Sequence, residues 1–195
     1  MKPERYVEKI AVKIDRRFHT SLREKGLKIL LIWYNIGIIN YIRRKAGYWK
    51  YRLKYLFGGK EKKPLKLHLG CGDKNFQGFI NIDQRKTIGT DLVCNIKNLP
   101  FPPGSVSRIE TYHVIEHLPR RDFPAALKKW RRLMKPGAVL VIECADFDAA
   151  VVDYINGNEN RINNIFGYHR YPGDAHLFGY NFKRLKSILE NTGFE

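Results

Sequence analysis

LHLGCGDKNFQGFINIDQ, residues 67–84, decides how the rest of the chain is read. A short apolar run meets Gly70-Cys71-Gly72, and a second apolar run ends at Asp83. Glycines directly after a strand allow tight backbone geometry and close approach of a ligand. An acidic side chain at the end of the second strand can accept both hydroxyls of a ribose. A dinucleotide fingerprint would be GxGxxG, with its acidic residue about 20 positions on. Here Gly72 is followed by Asp73-Lys74-Asn75, and Asp83 lies only 13 residues beyond Gly70. That spacing leaves no room for a full helix, so a pyrophosphate resting on a helix N-terminus is poorly supported. No GxxxxGK[ST] phosphate loop occurs either. The turn suits a nucleoside with a small appendage. A glycine turn with a capping Asp is the plainer alternative.

Outward from this stretch the pattern alternates. Strands are expected at 65–70, 79–83, 90–96, 106–112 and 138–145. Between the last two, DFPAALKKWRRLMKPG sets Phe123, Leu127, Trp130 and Met134 on one helical face. Asp122 is expected to cap this helix, and Pro136-Gly137 to stop it. A final helix sets Phe182, Leu185, Ile188 and Leu189 on one face and ends at Gly193. Such crossovers predict a mostly parallel α/β sheet with helices on both faces. Its ligand site should lie beyond the carboxyl ends of the strands.

The chain has 195 residues and a formal net charge of +17. Residues 1–63 carry 18 Lys/Arg against 5 Asp/Glu, and residues 64–195 carry 18 against 14. The basicity therefore belongs to an N-terminal extension, residues 1–63, ahead of a domain at 64–195. Residues 29–42, ILLIWYNIGIINYI, rise about 21 Å as a helix, too short for an ordinary bilayer span. GYWKYRLKYLFGG then interleaves aromatic and basic residues, and GGKEKKP, residues 58–64, reads as a linker. Three readings are open for residues 25–57. They are a helical arm packed on the domain or on a second copy, an interfacial segment on an anionic membrane, or, least favoured, a nucleic-acid arm.

Cys71, Cys94 and Cys144 form no CxxC pair, which reads as three free thiols in a reducing compartment. The charged opening, MKPERYVEKIAVKIDRR, is not a typical signal peptide. A cytoplasmic protein is expected, peripheral at the inner membrane face if the arm meets lipid. HVIEH, residues 113–117, is not HExxH, and no metal is expected. His68 reads as a packed core histidine, and Glu116 with His117 as a hydrogen-bonded support.

Four segments carry a resemblance. They are LHLGCGDKNFQGFINIDQ, DLVCNIKNLPFPPGSVSRIETYHVIEHL, LKKWRRLMKPGAVLVIECADF and GDAHLFGYNFKRLKSILENTGF. In order and spacing the chain resembles the class I S-adenosylmethionine-dependent methyltransferases, and within them the type 11 group found beside glycan biosynthesis enzymes. The resemblance implies a Rossmann-like fold whose last two strands are missing from this sequence. It implies S-adenosyl-L-methionine as cofactor. Gly70, Cys71 and Gly72 would lie under its methionine and ribose, and Asp83 would hold the ribose hydroxyls. Gln84 and Asn95 would flank the adenine, where Asn95 replaces the family's usual Asp. Ile96 would pack on the adenine ring, and His113 would line the methionine end. His113 and His176 are the candidate bases, since imidazole titrates near neutrality. The acceptor would be a small molecule or a lipid- or glycan-linked group. A non-catalytic scaffold with the same core and a nucleic-acid methyltransferase are the alternatives.

Overall fold

The computed structural model describes residues 38, 41–42, 45–55 and 63–195. Its centre is a five-stranded parallel sheet in the order β3-β2-β1-β4-β5. The strands are β1 (Leu65–Leu69), β2 (Ile80–Asp83), β3 (Leu92–Val93), β4 (Val106–Tyr112) and β5 (Met134–Glu143). The helices are α1 (Asp122–Leu133), α2 (Phe147–Ile155), α3 (Ile162–Phe166) and α4 (Phe182–Asn191). The expected mostly parallel α/β architecture is present. As the spacing required, the links from β1 to β2 and from β2 to β3 contain no helix.

Two strands differ from expectation for local reasons. β3 has only two ladder residues. Asn95 ends it, because its side-chain oxygen accepts from Lys97 N at 2.9 Å and its carbonyl from Asn98 N at 2.8 Å. β5 starts directly at the end of α1, with an irregular register between its pairs Val106↔Met134 and Arg108↔Val139. Pro136 has no N–H to give, and Gly137 sits at φ 71°, so this entry bulges instead of forming a separate stop. Asp122 does not cap α1. Its carboxylate goes to Lys97 Nζ at 2.7 Å.

α1 buries Phe123, Ala126, Leu127, Trp130 and Leu133 against the sheet residues Leu67, Leu69, Ile82 and Ile109. Trp130 is wholly buried, and its indole N–H donates to Ile96 O at 2.8 Å. α4 is capped by Asn181, whose side chain accepts from Arg184 N at 2.7 Å. It packs through Leu185, Ile188 and Leu189, while Phe182 is 78% exposed and leaves the expected face.

The contacts divide the chain between residues 42 and 43. The helical residues 45–55 therefore belong with the domain, ahead of the linker expected at 58–64. Tyr51 and Tyr55 meet Phe101 edge-on, with ring centroids at 6.1 and 5.5 Å. Tyr48 also packs on the core, whereas Trp49 and Leu53 are exposed. Most of the apolar segment 29–42 and of the linker lies outside the described residues. The three cysteines are unpaired. Burial pushes the Cys94 and Cys144 thiols up to about 12.

Candidate functional site

The turn after β1 is fixed from below by backbone bonds. Gly70 N and Cys71 N both donate to Ile82 O, at 2.8 and 3.1 Å. Gly70 has φ +69°, and a Cβ there would fall 2.2 Å from Val114 Cγ2, so the position demands glycine. Gly72 also has positive φ, +52°, but a Cβ there would meet open space. The Cys71 side chain is buried, so only its backbone belongs to the turn's surface.

Asp83, at the end of β2, is held against this turn. Its Oδ2 accepts from Gly72 N at 2.9 Å, and its Oδ1 from Arg85 N at 2.8 Å. Each carboxylate oxygen keeps a second acceptor site. The structure thus places a fixed, nearly buried carboxylate beside a backbone segment that carries no side chain. A ribose, with two adjacent hydroxyl donors, fits that pair.

The residue ahead of this turn is a polar brace. His68 is buried, stacks on Phe76 with centroids 4.0 Å apart, and bonds through Nδ1 to Asn81 Oδ1 at 3.0 Å. Asn81 Oδ1 also accepts from Phe76 N at 2.9 Å, which leaves the imidazole as the donor. Burial lowers the His68 and His176 pKa values below the ordinary 6.5. The unfolded chain then binds protons that the folded chain refuses. Stability should be fully present above about pH 6.5 and be lost as pH falls through the lowered values. The melting temperature should drop between pH 7 and 5, and His68→Gln should blunt that drop. An equal pH slope in the variant would count against the assignment.

Gln84 is exposed, and its side-chain nitrogen lies 3.6 Å from where a Cβ on Gly173 would stand. The loop through Gly173 therefore reaches the β2 end. It is clasped there by the Arg85 guanidinium, 3.6 Å from the Tyr171 ring centroid. Within the loop Arg170 holds buried Asp174 by two side-chain bonds, at 2.9 and 3.1 Å, and keeps its carboxyl far below the usual range. Asn95 is exposed, with its side-chain oxygen engaged by Lys97 N. The Ile96 side chain is only 8% exposed and packs in the core.

His113, just past β4, has φ 53° and is fixed by its N–H to Glu143 O at 2.9 Å. Its ring nitrogens face two carboxylates: Nδ1 is 3.2 Å from Glu116 Oε1 and Nε2 is 3.4 Å from Glu143 Oε1. Both are acceptors, so a neutral ring can donate to only one of them. Glu116 is 2% exposed, and its second oxygen has no hydrogen-bond partner among the described residues. Its backbone oxygen accepts from Leu177 N at 2.7 Å, which ties the loop before α4 to the turn after β4. His176 donates through Nδ1 to Asn164 O at 2.9 Å, leaving Nε2 with its lone pair. His117 likewise bonds Ala175 O at 3.0 Å and packs on His176 with rings 4.9 Å apart. Among the described residues, no cluster of three His, Cys, Asp or Glu is placed to hold a metal ion.

The structure thus gathers Gly70, Gly72, Asp83 and Gln84 at one end, and His113 and His176 around Glu116 at the other. Asn95 and Ile96 are turned to other partners. Two participants were not singled out from sequence: Glu143, and Arg85, the partner of Tyr171. Only strand register brings Glu143 beside Tyr112.

The family model of a methyltransferase domain matches residues 41–195. No curated protein matches the chain. Among solved structures the chain is similar to an S-adenosylmethionine-dependent methyltransferase of Thermotoga maritima, a possible histamine N-methyltransferase. Identity there is 16%, coverage 84% of this chain and 78% of the other, and TM-score 0.49. A second, from Archaeoglobus fulgidus, is 18% identical over 74% of this chain and 66% of its own, with TM-score 0.46. A third is phosphoethanolamine N-methyltransferase 2 of Haemonchus contortus, in complex with S-adenosyl-L-methionine. It is 15% identical over 74% of this chain, with TM-score 0.41, and the chain spans 36% of its length.

The chain belongs to the methyltransferase domain family. It is a methyltransferase, an enzyme that transfers a methyl group. S-adenosylmethionine, the cofactor expected from the resemblance, would supply an electrophilic methyl group on a sulfonium. The protein's share is to align an acceptor and exclude water.

Proposed function

We propose that this enzyme methylates a small-molecule, lipid-linked or glycan-linked acceptor beneath the loop of residues 167–177. The observation that carries the site is Asp83, fixed by Gly72 N at 2.9 Å at the end of β2. In this reading Gly70, Cys71 and Gly72 underlie the methionine and ribose, and Asp83 takes the ribose hydroxyls. Gln84, exposed at the end of β2, flanks the adenine. His113 lines the methionine end. His176 is the better base, because its Nδ1–H is committed to Asn164 O and burial favours its neutral form. His113 faces two carboxylates and is better suited to donate.

The arm's cationic excess supports contact with an anionic membrane through residues 25–57, at the inner face of a cytoplasmic compartment. No helix of the described residues is long and apolar enough to cross a membrane. A groove of about 1010 Å³ between β5 and α4, where Val139, Leu140, Ile142, Leu185 and Leu189 lie among Arg131, Lys135, Lys186 and Glu190, supports pairing with a second copy.

Calorimetry with S-adenosylmethionine and with NAD tests the site. S-adenosylmethionine should bind and NAD should not. NAD binding alone would overturn the assignment. Methyl transfer to a panel of amines, sugars and lipid-linked glycans would then identify the acceptor.

A further inference from the structure

A second cavity, of about 620 Å³, lies outside the turn described above. It opens between the helical residues 45–55, the segment 96–103 that links β3 to β4, and α1. Its floor is apolar, formed by Tyr55, Leu99, Phe101 and Pro102. Its rim holds five cations, Arg52, Lys97, Lys128, Lys129 and Arg132, and no carboxylate residue lines it among the described residues. Lys97 is matched by Asp122, and Lys129 bonds the neutral Asn98 side chain. Arg52, Lys128 and Arg132 make no ion pair among the described residues.

An apolar floor under a rim with three cations that make no ion pair among the described residues is complementary to an amphiphile with an anionic head. The volume is in the ordinary range for small-ligand sites. Two features select a membrane lipid over a free anion or a nucleic acid. The helix that forms one wall also exposes Trp49 and Leu53, at 51% and 46%, so apolar surface continues beyond the groove. Of the aromatic rings that line the groove, Phe101 and Trp130 are 3% and 0% exposed and offer no face to a base, which leaves only the half-buried Tyr48 and Tyr55 for stacking. We propose that this groove seats the phosphate head and upper chain of an anionic phospholipid, so that the catalytic domain itself, and not only the arm, meets the bilayer. The site is separate from the turn between Gly70 and Asp83. Its failure would leave the methyl-transfer reading intact.

The test uses the full chain and vesicles of phosphatidylcholine with and without phosphatidylglycerol. The groove variant is Arg52→Gln/Lys128→Gln/Arg132→Gln. The control, Lys135→Gln/Lys183→Gln/Lys186→Gln, removes the same charge from exposed positions at the other edge of the sheet. Binding to anionic vesicles should fall about a hundredfold in the groove variant, at roughly one decade or a little less per cation near an anionic surface. The control should fall much less, and both variants should bind S-adenosylmethionine like the parent. Equal losses in the two variants would overturn the proposal in favour of diffuse charge attraction. So would competition by glycerol phosphate at the same phosphate concentration, which would mark a free-anion site. Equally, a single-stranded oligonucleotide that binds the parent but not the groove variant, alongside unchanged vesicle binding, would reassign the groove to nucleic acid.

Discussion

Asp83→Ala should weaken S-adenosylmethionine binding by at least a hundredfold while leaving a folded protein. A hydrogen bond to a charged acceptor contributes about 1.5–3 kcal/mol, and a ribose can offer two. Losing both amounts to two or more decades in affinity. The carboxylate also anchors Gly72 N and Arg85 N, so part of the loss would come from a loosened turn. Asp83→Asn separates the two effects. It keeps the shape and one acceptor oxygen, and should fall between the parent and the alanine variant. Calorimetry gives the affinities, and far-ultraviolet circular dichroism checks the fold. An unchanged dissociation constant in Asp83→Ala would remove this residue from the cofactor site.

Trp130→Ala should destabilise the domain by about 3–5 kcal/mol, the usual cost of truncating a large buried aromatic side chain. The indole is wholly buried, packs against Phe123 at 6.3 Å, and satisfies Ile96 O. Its loss opens a cavity under the β3–β4 link and strands that carbonyl. Trp130→Phe keeps most of the apolar contact and removes only the donor, so it should cost about 1–3 kcal/mol. Urea unfolding of the three proteins measures both. A loss below 1 kcal/mol for alanine would show that the helix–link contact matters little.

What could be read from sequence follows from how local each signal is. β4 was legible to the residue, because Gly104 and the apolar positions of VSRIETY mark it without outside help. β3 was overestimated. The apolar run continues to Ile96, but the Asn95 side chain closes a turn that no periodicity shows. Asp122 has the chemistry of a cap, yet a lysine 25 residues away competes for it and wins. Phe182 fits the helical face on spacing alone, but it lies in the first turn of α4, beyond the core. In the site, Gly70 and Asp83 could be found because both lie in one short stretch. Glu143 could not, since only the pairing of β4 with β5 brings it to His113. The same holds for Arg85, whose contact with Tyr171 joins two distant parts of the chain.

The burial of the native thiols has a practical consequence. Nucleophilic attack needs the thiolate, and groups raised to about 12 are almost entirely protonated at neutral pH. Maleimide and iodoacetamide reagents should therefore pass over them in the folded state. Burial also raises the Cys71 thiol, so one cysteine introduced on the loop of residues 167–177 could carry a fluorophore or spin label without removal of the native three, and would report whether that loop moves during turnover.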